Sequence, residues 1–262
     1  MFFGVSAVMK DERLVNQAIS MGIIGHSHKV LQEQGVPDEA DPTKHPLRFL
    51  LGVILDQSMD WERAWRAPRI LEDRLRAAGL GPLTSATLAS LEPKKLAQIA
   101  GTPPKLHRFP EKMSDWIQKA AFTLNQAYDG DPAKIWTGAP RALEVMRRFD
   151  RFEGIGQKKS SMATNILARD YGVPISGWED IDVSYDIHVR RVFLRTGLAT
   201  KDTEDEIVAV ARELNPQYPG DLDVGSWDIG KNWCRPSNPD CEQCPLESLC
   251  PKLTGVRVPT SA

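Results

Sequence analysis

Four cysteines lie close together near the end of the sequence, and their spacing is the first feature that points to chemistry. Cys234, Cys241, Cys244 and Cys250 follow the pattern Cys-x6-Cys-x2-Cys-x5-Cys, and the chain has no other cysteine. In a chain that we expect to be intracellular, such tight grouping predicts a metal site rather than disulfide bonds. Four thiolates suit zinc or an iron–sulfur cluster. Zinc ribbons usually bring two Cys-x2-Cys pairs and this chain has one, but spacing alone leaves zinc open.

The stretch "GIGQKKS", residues 154–160, is the second candidate for chemistry. Gly154 and Gly156 leave backbone N–H groups uncovered, and Lys158 and Lys159 follow where a helix is predicted to begin. Such N–H groups and a helix N-terminus bind phosphate. Region 141–159 carries six basic against three acidic side chains, although the formal net charge of the chain is −2. By themselves these features also fit a plain turn between helices with solvated lysines.

The elements that position these residues are predicted to be helices. Apolar residues recur with helical spacing in 69–79 and 204–216, while alternation with period two is scarce. The apolar run 47–55 predicts a helix that is buried on all sides. We therefore predict an all-α protein of roughly ten to thirteen short helices. The longest apolar runs are shorter than the ~20 residues of a membrane span, and the N-terminus lacks the pattern of a secretory signal.

Three segments upstream of the cysteines carry further motifs. "FEGIGQKKSSMA" (152–163) is similar to Leu-Pro-Gly-Val-Gly-x-Lys-Thr-Ala, the usual helix-hairpin-helix. "YDIHVRRVFLR" (185–195) is similar to Val-Asp-Thr-His-Val-x-Arg-Val, and "ILDQSMD" (54–60) to a Gln-containing segment that ends an early buried helix. With the cysteine loop, these segments resemble, in order and over roughly residues 45 to 252, the endonuclease III (HhH-GPD) family of DNA glycosylases. The resemblance implies a 4Fe–4S cluster held by the four cysteines.

The resemblance also implies the catalytic residues. Lys158 matches the nucleophile that attacks C1′ of the sugar and forms a Schiff base in bifunctional members. Relatives that excise adenine without cleaving the strand carry another residue there. Asp186 matches the carboxylate that stabilises the developing positive charge. The stretch between the two motifs is about ten residues longer than usual, so Asp182 is a rival, although only Asp186 is followed by the matching His-Val-x-Arg-Val.

DNA contacts are implied for five residues. Gln57 matches the side chain that fills the gap left by an extruded base, and the glycine turn and its neighbours meet phosphates. The five are Gln57, Gly154, Gly156, Lys159 and Lys231. Arg235 and Lys252 are expected beside Lys231. A second inserting loop falls near 101–110, with candidates Leu106, His107 and Arg108.

The implied fold has two helical lobes with DNA in the cleft, and with Lys158 and Asp186 facing each other across it. A six-helix barrel domain would span 46–170, with the helix-hairpin-helix at about 147–169. An iron–sulfur cluster domain would combine 1–45 and 171–253, followed by a tail at 254–262.

The implied function is base-excision repair: removal of damaged bases, chiefly oxidised pyrimidines, and nicking of the strand by AP lyase activity. The expected partner is double-stranded DNA with a damaged base or abasic site. We expect a monomer in the cytoplasm, associated with the nucleoid and not with a membrane. Two alternatives remain: a glycosylase for alkylated or mismatched bases, which could be monofunctional, and a non-catalytic helix-hairpin-helix DNA-binding protein.

Overall fold

The computed structural model describes residues 12–33 and 38–258. These residues form eleven α-helices and no β-strand, apart from one isolated bridge between Arg141 and Ser176. This architecture confirms the predicted all-α fold. The helices are α1 (Glu12–Glu33), α2 (Pro46–Leu55), α3 (Trp61–Ala77), α4 (Ser85–Ser90), α5 (Pro93–Gly101), α6 (Pro110–Ala127), α7 (Ala142–Phe149), α8 (Gln157–Asn165), α9 (Ile187–Thr196), α10 (Glu204–Leu214) and α11 (Asp223–Asn232).

The chain divides into two compact units, one of which is made of two separate segments. Val36–Ser176 forms the hairpin unit, which we name after the pair α7 and α8. Met1–Gly35 and Gly177–Ala262 form the cysteine unit. The predicted domains have other bounds and stay a prediction, and residues 259–262 of the predicted tail lie outside the described residues. In the part of the chain that the structure describes, no helix is long and apolar enough to cross a membrane.

Helix α2 lies at the centre of the hairpin unit. Every residue from Arg48 to Leu55 is buried, as the apolar run predicts. The ring of Phe49 packs against those of Trp65 and Trp136, with centroid distances of 5.4 and 5.5 Å. Arg48 Nε donates to Glu72 Oε2 of α3 at 2.8 Å, and both side chains are buried. A buried ion pair adds little net stability, but it fixes α3 against α2 because neither charge tolerates losing its partner.

Helix α9 lies at the centre of the cysteine unit. Its Phe193 is fully buried in a core shared with α1, α10 and α11. Glycines of α11 let neighbouring backbones approach: a Cβ at Gly225 would lie 2.3 Å from the carbonyl oxygen of Ile23, and one at Gly230 would lie 2.6 Å from that of His188. Helix α1 is therefore an integral part of this unit, although it is distant in sequence.

Candidate functional site

The turn between α7 and α8 is built around Gly154. Its φ of +85° lies in the left-handed region that favours glycine. A Cβ at Gly154 would lie 2.2 Å from the ring of Trp116 on α6. The same indole donates from Nε1 to Glu153 Oε1 at 3.1 Å. Packing and backbone conformation therefore both require glycine at position 154.

Gly156, in contrast, is not required by the fold. Its φ of −123° is open to any residue, and no atom lies within 4 Å of where its Cβ would be. Gly156 is exposed and forms the N-cap of α8. The missing side chain leaves the start of α8 open, where the partial positive charge of the helix end favours an anion. Lys158, half-buried, is the second residue of α8 and lies at this end.

Lys159 points into the hairpin unit. Its side chain is only 6% exposed, and its Nζ donates to the carbonyl of Ile54, in the last turn of α2, at 2.7 Å. Burial is the main cause that lowers the pKa of Lys159 to about 8; the charge of Asp56 opposes it, and the charge of Lys158 acts in the same direction as burial. The side chain ties α8 to α2, so this geometry does not support the phosphate contact predicted for Lys159.

Gln57 lies half-buried in the bend between α2 and α3. Its carbonyl oxygen accepts a hydrogen bond from His107 Nε2 at 2.9 Å. His107 is fully buried and Leu106 is 4% exposed. Of the three residues predicted to insert into DNA from this loop, only Arg108 is exposed. Leu106 and His107 therefore have structural positions, which the sequence pattern does not reveal because the loop is long and rich in proline.

Asp186 caps helix α9. Its Oδ1 accepts from the backbone N–H of His188 at 2.8 Å, and the side chain is buried at the positively polarised end of the helix. The rival Asp182 instead forms a bidentate pair with Arg212, at 2.7 and 2.8 Å. That pairing gives Asp182 a structural role and favours Asp186 as the reactive carboxylate. Lys158 and Asp186 belong to different units, and their meeting across a cleft stays a prediction.

The four cysteines line a single cavity in the cysteine unit. The wall of this cavity also includes Arg195 and Leu246. Among the described residues, no three His, Cys, Asp or Glu side chains are arranged to hold a metal ion. A zinc ion needs its sulfur ligands at about 2.3 Å from one point. The four thiols thus share one cavity, and the metal that they would hold stays a prediction.

Three of the cysteines favour the neutral thiol in the protein alone. Burial raises the pKa of Cys234 and of Cys250, and it raises the pKa of Cys244 to about 11. Bound metal would supply the positive charge that stabilises thiolates. Four thiols that line one cavity therefore fit a metal ion or a metal cluster as ligands.

Two arginines of α9 hold the first cysteine, a role that the sequence motifs did not assign. Arg191 Nε donates to the carbonyl of Cys234 at 2.5 Å. Arg195 Nη1 lies 3.7 Å from Cys234 Sγ and donates to the carbonyl of Arg235 at 2.5 Å. Both arginines are buried. The sequence signal is two arginines four residues apart, and therefore on one face of a helix, beside buried apolar residues.

Three basic side chains near the cysteine loop were predicted to contact DNA. Lys231 is exposed, with its Nζ 4.8 Å from the ring centroid of Trp227. Arg235 is also exposed. Lys252 forms an ion pair with Glu247 at 3.0 Å. Lys231 and Arg235 are therefore the better placed of the three to meet a polyanion.

Sequence comparison finds endonuclease III proteins and an adenine DNA glycosylase among the curated relatives. No protein-family model matches the chain. It is 24% identical over 230 residues to an endonuclease III-like protein 1 from Gallus gallus, covering 86% of this chain and 72% of that protein. It is 23% identical over 162 residues to endonuclease III from Thermotoga maritima, covering 60% and 71%. A 71-residue segment is 35% identical to human adenine DNA glycosylase, which is 25% of this chain and 13% of that protein.

Solved structures share the fold. A trapped endonuclease III–DNA covalent intermediate superposes with a TM-score of 0.65 at 18% identity, covering 92% of this chain and 97% of the other. A thermostable thymine-DNA glycosylase gives a TM-score of 0.65 at 14% identity, covering 93% and 99%.

The fold and the two sites define a helix-hairpin-helix protein with a cysteine-lined cavity. The curated relatives and the shared fold then point to one family. The similarity in sequence and in fold confirms the predicted resemblance to the endonuclease III family of helix-hairpin-helix DNA glycosylases.

Proposed function

We propose that this protein is a base-excision-repair glycosylase with AP lyase activity on damaged double-stranded DNA. The observation that carries the proposal is the position of Lys158 just after the glycine turn. Trp116 packs against Gly154, whereas no atom covers Gly156, so the start of α8 is accessible to a ligand. A phosphate bound at this turn would bring the neighbouring sugar towards the amine. The names of the relatives support DNA as the partner.

Lys158 would act as the nucleophile. Its neutral amine attacks C1′ while the bond from C1′ to the base breaks, and the base leaves with the bonding electrons. The nitrogen then loses a proton, the C1′–O4′ bond breaks as the C=N bond forms, and the ring oxygen takes up a proton, which gives the protonated Schiff base. Removal of a proton from C2′ then breaks the bond between C3′ and the phosphate oxygen by β-elimination. The amine must lose its proton before it can attack, and Lys158 lies at the positively polarised start of α8.

Asp186 would supply the negative charge that this reaction needs. Positive charge develops on the sugar as the base departs, and a fixed carboxylate stabilises it. The capping bond from the N–H of His188 holds the Asp186 carboxylate in one orientation. Because a hydrogen bond and a helix end already fix this group, little reorganisation is needed during the reaction.

A 4Fe–4S cluster is the cofactor we propose for the cysteine cavity. Cys234, Cys241, Cys244 and Cys250 would hold it through thiolates, and Arg195 would lie against it. When bound, the cluster would supply positive charge and would cross-link the loop. It takes no part in the chemistry proposed for the lysine. Lys231 and Arg235 beside it would contact phosphates, and we expect the protein to act as a monomer.

The test is to trap the Schiff base. Borohydride should link the wild-type protein covalently to duplex DNA that contains an abasic site or an oxidised pyrimidine. Lys158→Gln should abolish trapping and strand cleavage, because an amide is not a nucleophile. Lys112→Gln, which alters an exposed lysine of α6, is the matched control and should trap like the wild type. Trapping that survives in Lys158→Gln would refute the assignment.

A second candidate is a monofunctional glycosylase for mismatched bases. It is favoured by the thymine-DNA glycosylase among the fold neighbours and by the segment shared with adenine DNA glycosylase. Such an enzyme would excise a base from a mismatch panel and leave no trapped complex. A protein that only binds DNA would shift every duplex in the panel and excise nothing.

A further inference from the structure

The bend between α2 and α3 has a backbone that needs support. We call residues 54–58 the bend segment. Ser58 has a φ of +53°, which is unusual for a residue with a side chain. The N–H of Gln57 donates only two residues back, to the carbonyl of Leu55, at 2.7 Å. Such a conformation persists only where surrounding groups hold it.

His107 holds the bend segment from the loop that precedes α6. The backbone N–H of Phe109 donates to His107 Nδ1 at 3.0 Å, so Nδ1 is an acceptor. The proton of the neutral ring must then be on Nε2, which donates to the carbonyl of Gln57 at 2.9 Å. The ring is fully buried. Burial is the main cause that lowers the pKa of His107, and the facing cations Lys159, Arg108 and Arg63 lower it further.

Neighbouring groups fix the loop that carries His107. Arg63 of α3 donates to the carbonyl of Lys105 at 2.5 Å, and Arg74 donates to that of Pro104 at 2.7 Å. His107 therefore connects the bend segment to a loop that is itself anchored on α3. A fixed donor loses little freedom when it makes its hydrogen bond.

Lys159 holds the same segment from the other side. Its Nζ donates to the carbonyl of Ile54 at 2.7 Å, where the last turn of α2 leaves carbonyls without partners inside the helix. Lys159 is the residue after Lys158 at the start of α8. The bend segment is thus held at Ile54 by α8 and at Gln57 by the loop.

We propose that His107 and Lys159 are positioning residues that hold the bend segment, and with it Gln57, in the conformation that meets DNA. The proposal rests on the proposed function, in which Gln57 fills the gap left by an extruded base. Each of the two side chains acts through a backbone carbonyl and not through contact with DNA. A loosened segment would have to be ordered each time a base is extruded, which adds to the cost of extrusion.

His107→Leu tests the first contact. The substitution places an apolar side chain in the buried position. It leaves the carbonyl of Gln57 and the N–H of Phe109 without their hydrogen bonds to His107. Single-turnover excision from a duplex with a base-paired lesion should fall about tenfold. Borohydride trapping on a duplex with an abasic site should fall much less, because no base has to leave the stack. His107→Gln, which can still donate to Gln57, should recover part of the loss.

A readout without DNA separates this proposal from the proposed function. Amide hydrogen exchange at residues 56–60 should be faster in His107→Leu than in the wild type, with the rest of the hairpin unit unchanged. If the wild type neither excises nor traps, the proposed function fails, and amide exchange still decides whether His107 holds the segment. Unchanged exchange at 56–60, or equal losses on lesion and abasic duplexes, would overturn the proposal.

Lys159→Met tests the second contact. It should speed amide exchange at residues 56–60. It should also lower excision from the lesion duplex more than trapping on the abasic duplex, as expected for His107→Leu. Lys112→Met is the matched control, since Lys112 is exposed and lies over the same Trp116 ring, 4.5 Å from its centroid. The control should leave exchange and excision unchanged. Loss of excision in both lysine variants, or in neither, would overturn the role of Lys159.

The pH dependence of stability gives Lys159 an independent readout. Burial lowers its pKa from 10.5 to about 8, while the facing charges are Asp56, Lys158 and Lys112, and the ring of His107 lies in the same field. The folded state releases this proton more readily than the unfolded state. The stability of the wild type relative to Lys159→Met should therefore rise as the pH goes from about 8 to 10.5 and stay level below 8. If the difference in unfolding free energy between the wild type and Lys159→Met were constant from about pH 8 to 10.5, the amine would not be buried.

Discussion

Among single residues, Asp186 and Asp182 make the sharpest comparison, because both are carboxylates in one short segment, and Asp186 caps α9 while Asp182 pairs with Arg212. Asp186→Asn should lower single-turnover excision by about a hundredfold or more, since it removes the charge that stabilises the sugar cation. Asn is as good an N-cap as Asp, so α9 should remain intact and DNA affinity should be kept.

Asp182→Asn is the matched control for that measurement. It breaks the pair with Arg212, whose side chain is 54% exposed while that of Asp182 is 12% exposed, and an ion pair that solvent reaches on one side contributes about 1 kcal/mol to stability. Excision should stay close to the wild-type rate. A larger loss in Asp182→Asn than in Asp186→Asn would mean that the motif was aligned wrongly through the longer stretch between residues 158 and 186.

Sequence reasoning at this scale worked where residue type and spacing carry the information. The cysteine spacing and the Gly-x-Gly-x-Lys pattern could be read directly, and the cysteines do surround one cavity. Burial could not be read in the same way. Lys159 and His107 are polar residues that a sequence pattern places on the surface, yet both are buried. Their hydrogen-bond partners are backbone carbonyls, which cannot be identified from the sequence.

Among the elements, the turn between α7 and α8 contains two glycines that the structure uses differently. Gly154→Ala should lower the free energy of unfolding by about 3 kcal/mol or more, because it combines an unfavourable positive φ with a clash against Trp116. Thermal or urea unfolding would measure it. A loss below about 1 kcal/mol would show that Trp116 can move aside.

Gly156→Ala should have the opposite effect: a small loss of stability and a clear loss of DNA affinity. Its Cβ meets open space, so the cost is that of a poorer N-cap, about 1 kcal/mol at most. The added methyl group would stand where a phosphate is proposed to approach α8. Affinity for duplex DNA should therefore fall while the fold persists, as a binding titration at fixed salt would measure. Unchanged affinity would remove Gly156 from the DNA interface.

The helices themselves were largely predictable. The run 47–55 lies in α2, because a segment that is apolar except for Arg48 is stable only in the core, where Glu72 pairs with that arginine. The loop at 101–110 was not predictable, since arginines of α3 and a buried histidine determine its course. These contacts join residues distant in sequence, and no local period records them.

For the whole molecule, the cofactor should determine the stability of one unit and not the other. Purified protein should contain iron and acid-labile sulfide in near-equal amounts. Cys244→Ser should lose both and should lower the unfolding temperature of the cysteine unit, since the cavity wall includes core residues such as Ile229 and Leu246. Amide exchange in the hairpin unit should stay as in the wild type.

Ser237→Ala, an exposed position in the same loop, is the control and should keep the iron. Zinc in a one-to-one ratio to protein, without sulfide, in material prepared without oxygen would contradict the cofactor assignment. If amide exchange in Cys244→Ser became equally faster in both units, the prediction that the cofactor stabilises only the cysteine unit would be wrong.

The assembly of the cysteine unit from two segments affects the order of events on the ribosome. The hydroxyl of Ser27 in α1 accepts a hydrogen bond from the N–H of Gly225 in α11, 198 residues later. At about 5–20 residues per second, α1 is synthesised roughly 10 to 40 s before that partner. The hairpin unit is contiguous and can fold within this interval. Ile19 and Ile23 are fully buried in the folded protein. During synthesis they stay exposed until their core partners emerge, so α1 is accessible to chaperones throughout this interval.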